Sequence, residues 1–326
     1  MIRVGQIGTK HGHALGKWLA LRASPDVEIA GIWEPDRAAR DERYLGARWV
    51  DSADVLLRDP AVVALAIEGR NDESLPMARA AVDAGKHIWF DKPAGEDWPA
   101  YQELMRVAAQ RGLQVQMGYM FRYQPGFAQV ASLARAGAFG DVFQIRAHMS
   151  THIDEAARRV QSVHRGGILY DLAGHMIDQI VWLLGRPQKI TTVLRNDATP
   201  TVPAYADNTV AVLEFEKALA IIDIAAMEAR PLARRFEVHG TLGGVVTEPF
   251  DPGRSLRLVF ERPWGAFAQG EHLMVLPEVS RQQLYERELA AFVATIRDGA
   301  PPDRPPEHDQ LVQETLLRAT GSLGVG

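Results

Sequence analysis

The chain predicts an α/β fold in two parts: a doubly wound parallel sheet, then an α+β domain on a mostly antiparallel sheet. Between residues 2 and 117 short apolar runs alternate with helical stretches, the pattern of repeated βα units in a parallel sheet. Between residues 190 and 260 five runs rich in Val, Ile, Leu and Phe follow one another with only turn residues between them, which indicates antiparallel pairing. At 326 residues the chain exceeds one ordinary domain. The change of pattern puts the expected domains at 1–118 and 119–326.

Ile2–Ile7 is an apolar run ending in a glycine-bearing turn, with a helical stretch, Ala14–Ala23, beyond it. Strand, turn and helix in that order open a Rossmann unit, whose turn receives a dinucleotide pyrophosphate. The turn reads GQIGTKHGHA, with Gly8 leading and Lys10 and His13 where two further glycines would stand. A lysine there either redirects the phosphates or lends them charge. His11 and His13 read as a solvated loop in preference to a metal pair, and no metal is expected. Val27–Trp33 leads into Glu34, roughly 20 residues past the turn, where an acid accepts hydrogen bonds from an adenosine ribose. That favours NAD over NADP, although Arg37 is placed to meet a 2′-phosphate. The alternation continues through Val62–Ile67, 75–84, His87–Phe90, 99–110 and 113–117. His87–Phe90 runs directly into Asp91, Lys92 and Pro93, so Lys92 belongs at the carboxyl edge of the sheet, where ligands bind.

Beyond residue 117, Arg122 and Tyr123 are candidates for substrate contacts or for packing at the domain junction. After a helix at 127–136 and a strand at 142–149, the polar segment 151–165 carries His152 and His164 and is the expected seat of substrate specificity. It leads into GGILYDLAGHMID, residues 166–178. Apolar residues recur at three and four across Ile168–Leu184, and Gly185 and Pro187 stop the helix. Asp171 and His175 are four apart and Asp178 three further on, so all three project from one side. An isolated pair of this kind is commonly a satisfied core histidine. General acid/base work is the sharper reading, because imidazole titrates near neutrality. Asp178 is expected to be a structural partner. Strands at 190–194, 209–215, 219–226, 236–238 and 256–260 follow, then a loop at 262–270 and helices at 282–296 and 308–319.

The net charge of −5, from 36 basic and 41 acidic residues, shows no basic run, which argues against nucleic acid and for a small-molecule partner. The chain has no cysteine, so disulfides and thiol catalysis are excluded. No apolar run approaches the ~18 residues of a membrane span, and a cytoplasmic protein is expected.

Four features in order, the Rossmann start, AGKHIWFDKPAG, GYMFRYQPGF and GGILYDLAGHMID, together with FEVHGTLGG, resemble the family of glucose-fructose oxidoreductase, inositol dehydrogenase and MocA. The resemblance implies a nicotinamide-dependent oxidoreductase whose second domain has an open, mostly antiparallel sheet. That sheet is often used for oligomer contacts, here in a homodimer or homotetramer. It implies a catalytic set of Lys92, Asp171 and His175, with Asp171 and His175 also binding substrate. Gly8, Thr9, Lys10, His11, Gly12, His13, Glu34, Asn71, Asp91 and Lys92 are expected around NAD. This chain has Asp91-Lys92-Pro93 where the family has Glu-Lys-Pro, and Gly69-Arg70-Asn71 for Thr-Pro-Asn, with Ser74 at a frequent histidine. The expected reaction is reversible oxidation of a secondary alcohol on a sugar or polyol. Its rivals are a glycosidase or lyase that oxidises its substrate transiently, and a non-catalytic dinucleotide-responsive binding protein.

Overall fold

The computed structural model describes residues 1–324; the last two residues of the expected second domain lie outside them. Strands β1 (Ile2–Ile7), β2 (Val27–Trp33), β3 (Val62–Ile67), β4 (His87–Phe90) and β5 (Val115–Met117) pair in the order β2-β1-β3-β4-β5, all parallel. Helices α1 (Ala14–Ala23), α2 (Asp54–Leu57), α3 (Ser74–Asp83) and α4 (Trp98–Gln110) make the crossovers. A parallel sheet covered on both faces needs strands without polar alternation, and VVALAI in β3 is such a run. The strand order reverses between β1 and β3, so the crevice at their carboxyl ends is the switch point where ligands of this architecture bind.

The second sheet has eight strands in the order β13-β12-β11-β10-β6-β9-β8-β7. They are β6 (Val142–His148), β7 (Lys189–Arg195), β8 (Asn208–Glu214), β9 (Leu219–Ala225), β10 (Arg235–Gly240), β11 (Gly243–Thr247), β12 (Ser255–Phe260) and β13 (Gly270–Val275). All pairs are antiparallel except β6 with β9, which is parallel. β11 and β13 have no counterpart in the sequence reading. Helix α5 (Pro125–Arg135) precedes β6, and α6 (Glu155–Gln161) and α7 (Ile168–Leu184) follow it. The segment 151–165 therefore contains a helix and is not loop throughout. Helix α7 packs against β6, β8 and β9 and alongside α5. This buries Ile168, Leu169, Ile177 and Ile180 completely, each such side chain contributing about 1.5–3 kcal/mol.

The chain forms two compact units, Met1–Met120 with Ser280–Gln310, and Phe121–Val279 with Leu311 onward. Assigning all of 119–326 to the second part is thereby corrected. Helix α8 (Arg281–Asp298) packs on α1, where Tyr285 fills the space beside Gly16 so closely that a Cβ there would lie 2.4 Å from its ring. The unit boundary falls inside α9 (Pro306–Thr320). Among the described residues no helix is long and apolar enough to cross a membrane.

Candidate active site

The turn after β1 is built tightly against the end of β3. Gly8 has φ +86°, and a Cβ on it would lie 2.5 Å from the backbone nitrogen of Gly69, so only glycine fits. Thr9 is stapled to Glu34: its amide and hydroxyl both donate to Glu34 Oε2 at 3.0 Å, while Asp36 N–H donates to Oε1 at 3.0 Å. Glu34 is 2 % exposed, so this acid holds the turn to the end of β2. Arg40, which the sequence did not single out, donates to the Glu34 carbonyl through Nε and Nη2 at 3.0 and 2.9 Å. The Lys10 ammonium stands 3.7 Å from both Asp36 and Glu73. The backbone amides of Lys10 and Gly12 have no partner among the described residues and lie at the start of α1, the arrangement that binds phosphate. Thr9, Lys10 and Gly12 form one wall of a cavity of about 610 Å³, closed by Leu15, Tyr44 and Arg281. Asn71 lies in the turn before α3, where the Ser74 hydroxyl donates to the Gly69 and Arg70 carbonyls at 2.9 Å.

His11 and His13 are not in a solvated loop, which corrects that expectation. His13, 9 % exposed, donates from Nδ1 to both oxygens of Asp91 at 3.1 Å. His11 Nδ1 is 3.2 Å from Asp91 Oδ2, and the fully buried Lys17 ammonium is 3.1 Å from the same oxygen and 2.9 Å from Glu68 Oε1. Burial lowers His13 to about 4 against the pull of Asp91. Burial likewise opposes the charge of Asp91, yet His11, His13 and Lys17 hold it well below the usual carboxylate range. Burial drives Glu68 well above that range. Within the cluster, burial therefore favours the neutral form of Glu68, while the neighbours of Asp91 favour its charged form. His11, His13 and Asp91 offer ligand atoms within 4.8 Å of one another, but a metal cation there would face the Lys17 ammonium at the same carboxylate oxygen. Lys17 and Glu68 were missed from sequence. The available signal was that Lys17 falls on the stripe formed by Ala14, Trp18 and Leu21.

Lys92 follows β4, 3 % exposed, with a cis bond to Pro93. Its amide donates to Asp91 Oδ1 at 2.8 Å and its carbonyl accepts from His11 Nε2 at 3.2 Å.

In the second unit, α7 starts at Gly167, whose φ is +52° and whose Cβ would meet the Ala206 carbonyl at 2.3 Å. His175 is buried, with its ring edge-on to Phe121 at 4.9 Å. Asp171 is half-buried and accepts from Gln161 Nε2 at 3.3 Å. The Tyr205 hydroxyl donates to Gln161 Oε1 at 2.7 Å and so fixes which end of the amide faces Asp171. Burial, with Asp171 and Asp207 nearby, pushes the Tyr205 hydroxyl up, keeping it a donor. Arg158, three residues before Gln161 on α6, pairs with buried Asp207 at 3.5 Å. Gln161, Tyr205 and this ion pair carried no recognisable sequence signal.

Asp178 is the structural partner of Arg122, which donates from Nε and Nη2 to Oδ1 at 3.0 and 2.6 Å, both side chains being buried. Tyr123 is half-buried beside it. His164 is buried, stacked on Tyr170 at 4.6 Å, and His152 is exposed.

A five-stranded parallel domain with a glycine-led turn at its switch point, followed by an α+β domain, defines a class of dinucleotide-binding oxidoreductases. Residues 1–119 match the model described as "Oxidoreductase family, NAD-binding Rossmann fold", and residues 127–246 match the "GFO/IDH/MocA C-terminal domain". The chain belongs to the Gfo/Idh/MocA family and carries an NAD-binding Rossmann domain. The oxidoreductase YdgJ of Escherichia coli (strain K12) is 29% identical over 325 residues, covering 91% of this chain and 88% of the relative. The scyllo-inositol 2-dehydrogenase (NAD(+)) of Bacillus subtilis (strain 168) is 24% identical over 315 residues, covering 93% and 86%. Among solved structures, GenD2 from gentamicin A biosynthesis in complex with NAD shares the fold with a TM-score of 0.81 at 24% identity, covering 98% of this chain and 93% of that one.

Proposed function

We propose that the protein is an NAD-dependent dehydrogenase that reversibly oxidises a secondary alcohol of a sugar, polyol or related hydroxylated compound. The observation that carries this reading is the pair Asp171 and His175 on buried α7, in a chain of this family that also keeps Lys92 after β4. The residues of the turn fit a dinucleotide: the amides of Lys10 and Gly12 and the Lys10 ammonium would hold its phosphates. Glu34, already engaged by Thr9, would face its ribose and disfavour a 2′-phosphate. The nicotinamide supplies the acceptor for a hydride from the carbinol carbon. In the second unit His175 would remove the hydroxyl proton and Asp171 would bind a neighbouring hydroxyl; in the first, Lys92 would be a hydrogen-bond donor to a substrate oxygen. Asn71, Tyr123, His152 and His164 are further candidates for ligand contacts. Arg122 is the weakest candidate, because its guanidinium is bound to Asp178.

One face of the second sheet exposes Val193, Leu219, Leu273 and Val275, which favours pairing with a second copy of the chain.

The test has two steps. Calorimetric titration of cofactor-stripped protein with NAD, NADH, NADP and NADPH should show binding of the NAD pair. A screen of polyols and sugars for absorbance change near ~340 nm, where reduced nicotinamide absorbs, should then find a substrate. Lys92→Ala and His175→Ala should each lower kcat by ~10²-fold or more with little change in NAD affinity. Wild-type turnover in either variant removes that residue from the mechanism.

A further inference from the structure

We propose that His11 and Asp91 are positioning residues for Lys92, holding its backbone at the C=O and at the N–H, and that the turn carries a histidine at position 11 for this purpose. The proposal rests on reading Lys92 as the group that hydrogen-bonds the substrate oxygen.

A carbonyl only accepts, so the 3.2 Å contact between His11 Nε2 and the Lys92 oxygen places a proton on Nε2 in either charge state of the ring. The other ring nitrogen faces His13 N–H and Asp91 Oδ2, each at 3.2 Å. The backbone of His11 is tied in turn, its N–H donating to the Glu68 carbonyl at 3.1 Å. The imidazole is therefore held at Nε2 and at its main chain, and at Nδ1 by His13 N–H in the neutral ring or by Asp91 in the charged one.

Asp91 is held just as firmly. Oδ1 accepts from the Lys92 amide and His13, and Oδ2 faces His13, His11 and Lys17. On the far side Gly118 leaves so little room that a Cβ there would lie 2.7 Å from Oδ1. The carboxylate cannot rotate without giving up several of these contacts.

A lysine side chain has several rotatable bonds, so it holds an ammonium in one place only if its own backbone is fixed. Displacement of a reacting group by about 1 Å can cost ~10²-fold in rate. A glycine at position 11 would leave the Lys92 carbonyl without its donor, and one at position 13 would leave Asp91 without the Nδ1–H that meets both its oxygens. The buried ring nitrogens, directed at Asp91 and Lys92, are what distinguish this turn from a phosphate loop alone.

The experiment compares His11→Asn with His11→Gln in the full chain. Both are small and polar, but only the glutamine amide reaches as far as Nε2. Three quantities are read: kcat on the polyol found by the screen, calorimetric NAD affinity, and hydrogen exchange of the segment containing the Lys92 amide. His11→Asn should lower kcat by ~10-fold or more at unchanged NAD affinity, with faster exchange at Lys92, and His11→Gln should recover most of both losses. Equal kcat in the two variants overturns the proposal, as does a fall in NAD affinity that matches the fall in kcat. If the wild-type protein oxidises none of the polyols, the reading of Lys92 fails on its own, and the clamp is judged by exchange. Faster exchange in Asn than in Gln then supports it, and equal exchange refutes it.

Discussion

Lowering the pH titrates the buried cluster beneath the turn, and His13 and Glu68 act on its stability in opposite senses. In the folded chain burial lowers this imidazole to about 4, against 6.5 for a free histidine. A group depressed in the folded state contributes stability that is complete above its unfolded value and is lost as pH falls toward its folded value. The window is therefore pH 6.5 down to about 4. At about 1.4 kcal/mol for each pH unit, the loss across it reaches roughly 3 kcal/mol. Asp91, held well below 3.8, adds a further loss only at lower pH. Urea denaturation between pH 7 and 4 measures this. Tryptophan fluorescence reports chiefly on the first unit, because Trp18, Trp33, Trp49, Trp89 and Trp98 lie in it. His13→Asn keeps an N–H near the position of Nδ1 but removes the titrating ring; because Glu68, raised by burial, works in the opposite sense in both proteins, the wild-type minus His13→Asn difference isolates His13 and should change by roughly 3 kcal/mol across the window. A wild-type profile parallel to that of His13→Asn would refute the reasoning, since the buried ring would then not exclude its second proton.

Three further outcomes follow from the same geometry. Lys17→Met removes the ammonium between Asp91 and Glu68 and should destabilise the first unit by ~3–5 kcal/mol at pH 7, read as a lower urea midpoint; the deficit should shrink in acid as Asp91 takes a proton. Arg122→Met leaves buried Asp178 without its guanidinium and should cost about 3 kcal/mol, whereas Arg122→Met with Asp178→Leu should recover most of that in the same melt. Gly167→Ala puts a Cβ 2.3 Å from the Ala206 carbonyl at φ +52°. It should cost ~2 kcal/mol or more and raise KM for a substrate found by the screen, because the displaced Ala206 adjoins Tyr205, which orients Gln161 toward Asp171.

The second sheet shows where sequence patterning lost information. β11, GGVVT, begins with two glycines and reads as a turn. β13 lies at the sheet edge with Leu273 and Val275 exposed, so its apolar residues do not mark a buried face and the period-two signal has nothing to report. Helix α6, seven residues long with one buried side chain, is too short and too polar to show a helical period. Its Asp154 cap, which accepts from Ala157 N–H at 2.8 Å, was its one local mark.

By itself the sequence determined what depends on near neighbours. The βα alternation, the bounds of α7 between Gly167 and Gly185, and the four-residue spacing of Asp171 and His175 follow from local periodicity and from residues that stop a helix. The place of Lys92 at the end of a parallel strand was legible for the same reason. Only the tertiary structure decided which partners these groups meet. Lys17 lies 51 residues from Glu68 and 74 from Asp91 along the chain, and α8 packs on α1 from far beyond the second sheet. Such contacts depend on how the strands cross over. A buried charge is stable only where that crossing brings its counter-charge, so the ion network under the turn exists as a consequence of the fold and of no single stretch of sequence.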